Sequence, residues 1–419
     1  MSAFQFVHTA DLHLDSPFRG LSEVAPALQS VLREATFQAF ERIIDLCIHR
    51  EVNFLLIAGD IHDASDRSLR ALTRLRQGFE RLADHHISVF MCHGNHDPFT
   101  GWSEHFSWPA NVWVFDTKEV VTRPVLVQGA EIARIYGVSF GMEKVTDNLA
   151  QQFQGDPEAP WSIGLLHTNV GQDPNHGNYA PCQLDDLVRA GMNYWALGHV
   201  HTHRILREQD PLIVYPGNPQ GRHVRETGPR GCYLVSVDSQ GHASPEFVPV
   251  DVVRWYDERL TIGGLGDFDD LLNCMDERVH VIRQQSEGRG VIVRWQFEGR
   301  GPLHRELVRP GRLEDLLMTI REKWGTGSQF VWSEAVHDRT GREVDLEAIR
   351  QEENLLGDFI RLTENEDAHH LQDLRQAIEP LFDDPRVYRY LGAPSDAQIR
   401  EWVHTAQHLG LDRLLTGDE

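Results

Sequence analysis

The sequence lacks the features that would place the chain in an oxidising compartment or in a membrane. Its 419 residues include five cysteines, an odd number at wide spacings and without a Cys-x-x-Cys pair. This scarcity speaks against a disulfide framework and against a thiolate-based zinc site. No apolar run of about 18 residues or more occurs, so no membrane span is expected. The chain opens on a strand-like segment without a basic and apolar leader, and we expect a cytoplasmic protein.

Positive charge is also scarce. The 40 basic residues face 63 acidic ones, which gives a net charge of −23 and speaks against a uniformly basic nucleic-acid-binding surface. The acidic excess is uneven, because residues 343–384 hold 13 acidic and three basic side chains and contribute −10. The rest of the chain can therefore still present a positive face. Only three basic residues are lysines and none follows a glycine, which excludes a Walker A phosphate loop.

Apolar material is ample, at 41% of the residues, and the length suggests two or three domains. Strand-like and helix-like segments alternate over the first 100 residues, which predicts parallel strands covered by helices. A run of strands follows, which predicts two packed sheets. The predicted strands lie at residues 4–10, 54–58, 87–92, 112–115, 120–127, 133–138, 162–166, 195–197, 213–215 and 231–237, and the predicted helices at 25–50 and 68–82.

Three regions are predicted along the chain: a catalytic domain at residues 1–251, a smaller α+β capping domain at 252–342, and an acidic helical region at 343–419. The last region has two apolar stripes of helical spacing, and Ser395 is expected to cap its final helix. Such stripes usually form intramolecular core. The other interpretation is a surface on which a partner docks.

Five short segments with Asp, Asn or His directly follow predicted strands: Asp11-Leu12-His13, Gly59-Asp60-Ile61-His62-Asp63, Gly94-Asn95-His96-Asp97, Leu166-His167-Thr168 and Gly198-His199-Val200-His201. Open α/β sheets place their sites at the carboxyl ends of the strands, so these side chains are expected to face one crevice. A lone histidine among 23 is usually an ordinary core or surface residue. Five such segments in order do not fit that interpretation.

Oxygen and nitrogen ligands without thiolate suit a pair of divalent metal ions. Two ions about 3.5–4 Å apart supply a strong nucleophile and neutralise phosphoryl charge, and phosphodiester hydrolysis needs both. The donor set suits manganese, iron, zinc or cobalt and does not rank them. The sequence therefore predicts a two-metal phosphodiesterase.

The same segments resemble the calcineurin-like metallophosphoesterases. Two longer stretches, Ala-Asp-Leu-His-Leu-Asp-Ser-Pro-Phe at 10–18 and Tyr-Pro-Gly-Asn-Pro-Gln-Gly-Arg-His at 215–223, are similar to the bacterial YhaO-type branch of the SbcD-like DNA repair nucleases. The resemblance implies an α/β fold of the four-layer α-β-β-α type and a manganese-dependent DNA exonuclease or endonuclease. It also implies an SbcC/YhaN-like coiled-coil ATPase as partner, and a homodimer.

Carried over position by position, the resemblance implies a role for each motif residue. The first metal would be held by Asp11, His13 and His201. The second would be held by Asn95, His167 and His199. Asp60 would bridge the two ions. His96 would lie near the phosphate, where an imidazolium steadies developing charge or protonates the leaving oxygen.

One position departs from the pattern of some relatives, which have a second catalytic histidine three residues after the bridging aspartate. Here Asp63 occupies that position, and His62 fills a slot often held by phenylalanine. A carboxylate cannot stabilise phosphate charge as a cation does. Asp63 is therefore predicted to belong to the catalytic group without acting as a second histidine.

Arginines beside the motifs are predicted DNA contacts, because the guanidinium group suits bidentate binding of phosphate: Arg19, Arg222 and Arg225. Residues 299–312, with four arginines, are a second candidate, and a solvated loop is the alternative for it.

Two other functions remain open at this stage. The same metal chemistry could act on a non-DNA substrate as a phosphodiesterase or phosphatase, which the acidic charge balance favours. A non-catalytic regulatory subunit of an ATPase complex is the other alternative, although all seven ligand positions hold suitable residues.

Overall fold

The structure is a computed structural model that describes residues 1–19, 21, 26–63, 68–99, 107–171, 177–364, 368–382 and 394–415. The chain divides into two compact units. The first comprises Met1–Tyr256 with Ser286–Ile292, and the second comprises Asp257–Gln285 with Val293–Glu419. The predicted three-region division at residues 251 and 342 stays a prediction.

The first unit contains a six-stranded sheet whose central strands are parallel. Its strands are β1 (Phe4–Thr9), β2 (Phe54–Ala58), β3 (Ser88–Cys92), β4 (Val112–Val114), β11 (Gly231–Val237) and β12 (Ala243–Pro249). Their order is β12-β11-β1-β2-β3-β4, with β1 to β4 parallel and β11 antiparallel to β1. Two helices, α1 (Pro26–His49) and α2 (Leu69–Asp84), connect the parallel strands. The predicted start of α1 at Ala25 lies outside the described residues.

A second six-stranded sheet completes this unit. Its strands are β5 (Val121–Val127), β6 (Ala130–Gly137), β7 (Ser162–His167), β8 (Tyr194–Gly198), β9 (Arg204–Arg207) and β10 (Leu212–Tyr215). Their order is β5-β6-β7-β8-β10-β9, and β6, β7, β8 and β10 run parallel. A 3-10 helix (Leu149–Gln152) and helix α3 (Leu184–Arg189) lie along this part of the chain.

Three apolar clusters hold these layers together. The first joins α1 and α2 to one face of the first sheet, through residues such as Phe40 and Phe79. The second lies between the two sheets, where Phe6 stacks on Phe54 with ring centroids 4.9 Å apart. The third covers the other face of the second sheet and includes Leu187 of α3. The order is therefore helix, sheet, sheet, helix, and the predicted four-layer α/β fold is confirmed.

The second unit is mixed. Two of its strands, β13 (Val253–Thr261) and β14 (Gly290–Arg300), begin in the first unit. Its other elements are α4 (Phe268–Gln285), α5 (His304–Leu307), α6 (Arg312–Trp324) and β15 (Val331–Gly341), followed by α7 (Leu346–Gln351), α8 (Leu355–Thr363), α9 (Ala368–Phe382) and α10 (Asp396–Leu415). The three strands form one sheet in the order β13-β14-β15. Ser395 caps α10 as predicted, since its hydroxyl accepts from the Gln398 N–H. Among the described residues, no helix combines the length and the apolarity that crossing a bilayer requires.

Candidate metal centre

The seven predicted ligands lie at the carboxyl ends of five strands. The residues from the first sheet directly follow β1, β2 and β3: Asp11, His13, Asp60 and Asn95. Those from the second sheet end β7 or follow β8: His167, His199 and His201. All except His201 are at most 5% exposed. The two sheets therefore bring seven polar side chains, distant in sequence, to one place.

Four of the predicted ligands, in the loops after β1, β2 and β8, have an unusual backbone conformation. Asp11, His13 and Asp60 have φ values of 51°, 42° and 52°, and His199 has 102°. Two hydrogen bonds tie the loops together, because the Asp11 N–H donates to the Gly59 carbonyl and the His13 N–H donates to the Asp60 carbonyl, each at 3.0 Å. Left-handed backbone is costly for residues with a side chain, and such strain is concentrated at functional sites.

Glycine is required where the third segment approaches the others. A Cβ placed on Gly94 would lie 2.4 Å from Asp60 Oδ1 and 2.8 Å from His167 Nε2. Any other residue at this position would displace the Asp60 carboxylate or the His167 imidazole. The glycine of Gly-Asn-His-Asp is therefore explained by close packing of predicted ligands.

The first cluster comprises Asp11, His13 and His201, whose ligand atoms lie within 4.8 Å of one another. His13 Nδ1 lies 3.0 Å from Asp63 Oδ1, and His201 Nδ1 lies 2.6 Å from Glu226 Oε1. A carboxylate can only accept, so each Nδ1 carries the proton and each neutral ring has its lone pair on Nε2. These two Nε2 atoms face each other at 3.3 Å. Facing lone pairs repel unless a cation lies between or beside them.

The second cluster comprises Asp60, His167 and His199. His167 Nδ1 donates to the Ala58 carbonyl at 2.9 Å, which leaves the lone pair of the neutral ring on Nε2. That nitrogen lies 3.1 Å from Asn95 Oδ1 and 3.4 Å from Asp60 Oδ2. When the His167 ring is neutral, three acceptor atoms converge here as well.

Asp60 is within reach of both clusters. Its Oδ2 lies 3.4 Å from His167 Nε2 and 3.9 Å from His13 Nε2. The donor set and the converging acceptor atoms fit divalent metal ions, and a bridging role for Asp60 stays a prediction. Ions bound there would lower the pKa of a bound water and neutralise phosphoryl charge. The individual ligand roles stay predictions.

The pKa pattern shows how negative the pocket is. Burial lowers the pKa of His167, but the Asp60 carboxylate outweighs it and raises the pKa to about 9. Burial raises the pKa of Asp60, yet His167 beside it brings that pKa well below its usual range. Burial raises the pKa of Asp11 to about 6 and, with Arg222 nearby, lowers that of His13 to about 4. A proton on His167 thus compensates a charge that a metal ion would otherwise compensate.

His96 lies at the more open side of this centre, with 41% of its side chain exposed. Its Nδ1 lies 2.8 Å from Asp63 Oδ1, and its ring packs edge-on against that of His13 with centroids 4.8 Å apart. The hydrogen bond to Asp63 raises the pKa of His96. Burial acts to raise the pKa of Asp63, but the hydrogen bonds from His13 and His96 leave it below its usual range.

Two carboxylates that support the site received no role from the sequence. Asp97 accepts hydrogen bonds from the backbone N–H groups of Asp60, Ile61 and Gly94 at 3.1, 2.9 and 2.7 Å, and thereby fixes the turns that carry two ligands. Asp97 is the last residue of the Gly-Asn-His-Asp segment, and this position is the sequence signal that could have identified it. Glu226 fixes His201, and no motif marked it.

The three arginines predicted to contact DNA have different surroundings. Arg19 and Arg225 are exposed, whereas Arg222 is 6% exposed. Arg222 NH1 lies 3.8 Å from Asp63 Oδ2, and its backbone N–H donates to Glu226 at 2.6 Å. Arg222 thus adjoins the carboxylates of Asp63 and Glu226, and DNA contact by the three arginines stays a prediction.

Two family models match the chain, each over a different region. Residues 4–203 match the calcineurin-like phosphoesterase family, and residues 255–341 match the middle domain of metallophosphoesterase YhaO. A Bacillus subtilis protein named uncharacterized metallophosphoesterase YhaO is 34% identical over 96% of each chain. The DNA double-strand break repair protein Mre11 of Saccharolobus solfataricus is 25% identical over 73% of this chain and 78% of its own.

Among solved structures, a dimetal phosphatase from Danio rerio is 10% identical and covers 59% of this chain and all of its own, with a TM-score of 0.34. That score is too low to carry an argument. The Bacillus subtilis relative covers 96% of the chain and so extends over both matched regions. On this basis the chain belongs to the YhaO-type calcineurin-like metallophosphoesterases, a family of enzymes that hydrolyse phosphoester bonds.

Proposed function

We propose that this metallophosphoesterase is a DNA nuclease that cleaves phosphodiester bonds with two bound metal ions, manganese being the expected metal. The observation that carries the proposal is the position of Asp60, whose carboxylate lies within 4 Å of an imidazole nitrogen of each cluster. The Mre11 relatives, named as DNA double-strand break repair proteins, support DNA as the substrate.

The chain's own groups have separable tasks in this reaction. The seven ligands hold the ions, and Asp63 and Glu226 hold two of the imidazoles in the tautomer that binds metal. His96 reaches the open side of the site with a raised pKa, so its imidazolium is suited to steady charge on the phosphate or to protonate the leaving oxygen.

The test is a nuclease assay with Mn²⁺ on linear, nicked and single-stranded DNA, run beside a cyclic nucleotide and a phosphopeptide. Parent protein should cleave DNA, and Asp60→Asn should not. Cleavage that survives in Asp60→Asn would come from a contaminant or another site. Turnover of the cyclic nucleotide or phosphopeptide without cleavage of DNA would leave the phosphoesterase chemistry in place and refute the DNA proposal.

We also propose that the nuclease acts with a coiled-coil ATPase of the SbcC/YhaN type, which docks on the C-terminal helices. Large apolar side chains are exposed on α8, α9 and α10: Leu355, Leu362, Leu381, Trp402 and Leu409. The absence of a Walker A loop supports the need for a separate ATPase. A chain truncated before Val344 should lose ATPase binding in a pull-down with the purified proteins, and full retention would refute the docking site.

A further inference from the structure

We propose that Gln220 is a positioning residue that couples the predicted ligand His201 to the start of strand β13. Gln220 lies in the stretch at 215–223 that the sequence singled out, and neither the ligand set nor the proposed DNA chemistry gives it a task. The residues that carry the coupling all belong to the first unit, but β13 runs on into the second. The proposal rests on the proposed metal centre and not on DNA as the substrate.

The side-chain amide of Gln220 is buried, at 1% exposure, and bonds only to backbone groups. Its Oε1 accepts from the N–H groups of Val252 and Val253 at 2.8 and 3.2 Å. Its Nε2 donates to the carbonyls of Val253 and Gly221 at 2.6 and 2.8 Å. An amide offers two acceptor and two donor positions, so all four are used. Gln220 thus binds the start of β13 as a neighbouring strand would.

The backbone directly after this glutamine leads to the carboxylate that holds His201. The Gly221 carbonyl also accepts from Trp255 Nε1 at 3.2 Å, and a Cβ on Gly221 would lie 2.7 Å from the Glu226 carbonyl oxygen. The Arg222 N–H donates to Glu226 Oε2 at 2.6 Å, and Glu226 Oε1 lies 2.6 Å from His201 Nδ1. Holding this backbone in place therefore orients the imidazole.

A second connection reaches the backbone of His201. The Asn218 N–H donates to the His201 carbonyl at 3.1 Å, and Asn218 Nδ2 donates to the Gln220 carbonyl at 2.9 Å. Arg230 NH1 donates to Asn218 Oδ1 at 3.0 Å and also to the His201 carbonyl. The side chains of Asn218 and Arg230 are buried. One loop, residues 216–230, thus holds His201 at its backbone and at its ring, and Gln220 attaches this loop to β13.

The consequence is a coupling between metal binding and the start of β13. A metal ion that orders His201 and its loop should also hold these first residues of β13 in place. Their release should in turn weaken the ion by the same factor, because coupling between binding equilibria is reciprocal. Outer-shell partners of metal-binding histidines typically contribute about 10- to 100-fold to metal affinity. Gln220 acts through Glu226, so we expect the lower end of that range.

The experiment compares the parent with Gln220→Met in two readouts. Mn²⁺ affinity is measured by calorimetry, and hydrogen exchange of the peptide that contains Val252 and Val253 is measured by mass spectrometry with and without Mn²⁺. Methionine has a similar volume but removes all four hydrogen bonds, so one Mn²⁺ should bind about 10-fold more weakly. Mn²⁺ should slow exchange of this peptide in the parent and leave it unchanged in the variant.

Trp255→Phe removes only the hydrogen bond from the indole N–H to the Gly221 carbonyl. It should give a smaller loss of Mn²⁺ affinity in the same direction, and it serves as the test variant if Gln220→Met does not fold. Gln240→Met is the matched control, because it makes the same substitution at an exposed glutamine in the turn after β11. The control should change neither readout.

Three results would overturn the coupling and leave the metal centre in place. They are unchanged Mn²⁺ affinity in the folded variant, exchange that Mn²⁺ does not slow in the parent, and exchange that Mn²⁺ slows equally in parent and variant. A parent that binds no Mn²⁺ would overturn the proposed metal centre and the coupling together. Neither readout involves DNA, so a failed nuclease assay would refute the DNA substrate alone.

Discussion

The two sheets of the first unit make different contributions to the metal centre. The first sheet supplies every predicted oxygen ligand, from Asp11, Asp60 and Asn95, together with the imidazole of His13. The second sheet supplies imidazoles only: His167, His199 and His201. Each cluster nevertheless draws on both sheets. The negatively charged side chains of the site therefore lie on the first sheet, while each cluster also needs imidazoles from the second sheet. Bound metal would consequently join the two sheets.

The largest effect on activity is expected at Asp60, whose carboxylate lies within 4 Å of an imidazole nitrogen of each cluster. Asp60→Asn keeps the shape of the side chain but removes the negative charge that both clusters share. Activity should fall by more than the factor of about 100 that is the upper end for outer-shell partners, and bound Mn²⁺ should fall with it. Metal analysis by mass spectrometry and the DNA assay measure both effects. Asp238→Asn makes the same substitution at an exposed aspartate, 3.4 Å from His242 and outside the centre, and is the control for metal content.

His96→Ala should separate catalysis from metal binding. The residue belongs to the loop after β3, yet none of the predicted ligand roles depends on it. Loss of a general acid or electrostatic group typically costs about 10²- to 10⁴-fold in rate, so kcat should fall by this factor with two Mn²⁺ still bound. If this variant also lost an ion, His96 would be a ligand, and the first sheet would supply two imidazoles instead of one.

Glu226→Ala tests the imidazole side of the centre. The carboxylate holds His201 Nδ1 at 2.6 Å, as Asp63 holds His13, so its removal should weaken one Mn²⁺ by about 10- to 100-fold. Within the part of the chain that the structure describes, Asp63 bonds to His96 and Glu226 does not, so kcat at saturating Mn²⁺ should change little. Titrations of activity against Mn²⁺ give the affinity and the limiting rate together. A fall in the limiting rate equal to that of Asp63→Ala would contradict this contrast.

The smallest expected effect concerns the contact between the sheets beneath the centre. His8 of β1 donates from Nε2 to the Leu197 carbonyl at 3.2 Å and accepts at Nδ1 from the Tyr194 hydroxyl at 2.9 Å, both in β8. Burial lowers the pKa of His8 to about 3, so the folded state keeps it neutral where the unfolded chain, with a pKa near 6.5, binds a proton.

Stability contributed by neutral His8 is therefore present above about pH 6.5 and is lost as the pH falls towards 3, by at most about 1.4 kcal/mol per pH unit. His8→Gln should reduce the slope of the unfolding free energy against pH by up to one proton in this range. Urea melts of the metal-free protein at pH 7, 6 and 5 measure the slope. An unchanged slope would show that His8 takes up a proton in the folded state.

The elements that carry the site were predictable because their signals are local. Phe54–Ala58 is a short, continuous apolar run, and the structure buries all five residues in a central strand. The two strands missed in the large sheets, β9 and β12, lie at sheet edges, where the pattern weakens. β12 contains Pro245 and Pro249, which an edge position tolerates. Asp97 and Glu226 act through backbone N–H groups and a ring nitrogen of residues remote in sequence or reached by a turn. Such support depends on tertiary geometry, and the sequence marked only Asp97, through its place at the end of the Gly-Asn-His-Asp segment.

The left-handed backbone at four predicted ligands has a consequence for engineering this protein. Each such residue typically costs about 1–3 kcal/mol relative to a relaxed conformation, and glycine or asparagine would relieve that cost at Asp11, His13, Asp60 or His199. A redesign that selects for thermostability in the absence of metal would therefore favour removing these very side chains. Stabilised variants should accordingly be selected with Mn²⁺ present, so that ligand loss carries a penalty of its own.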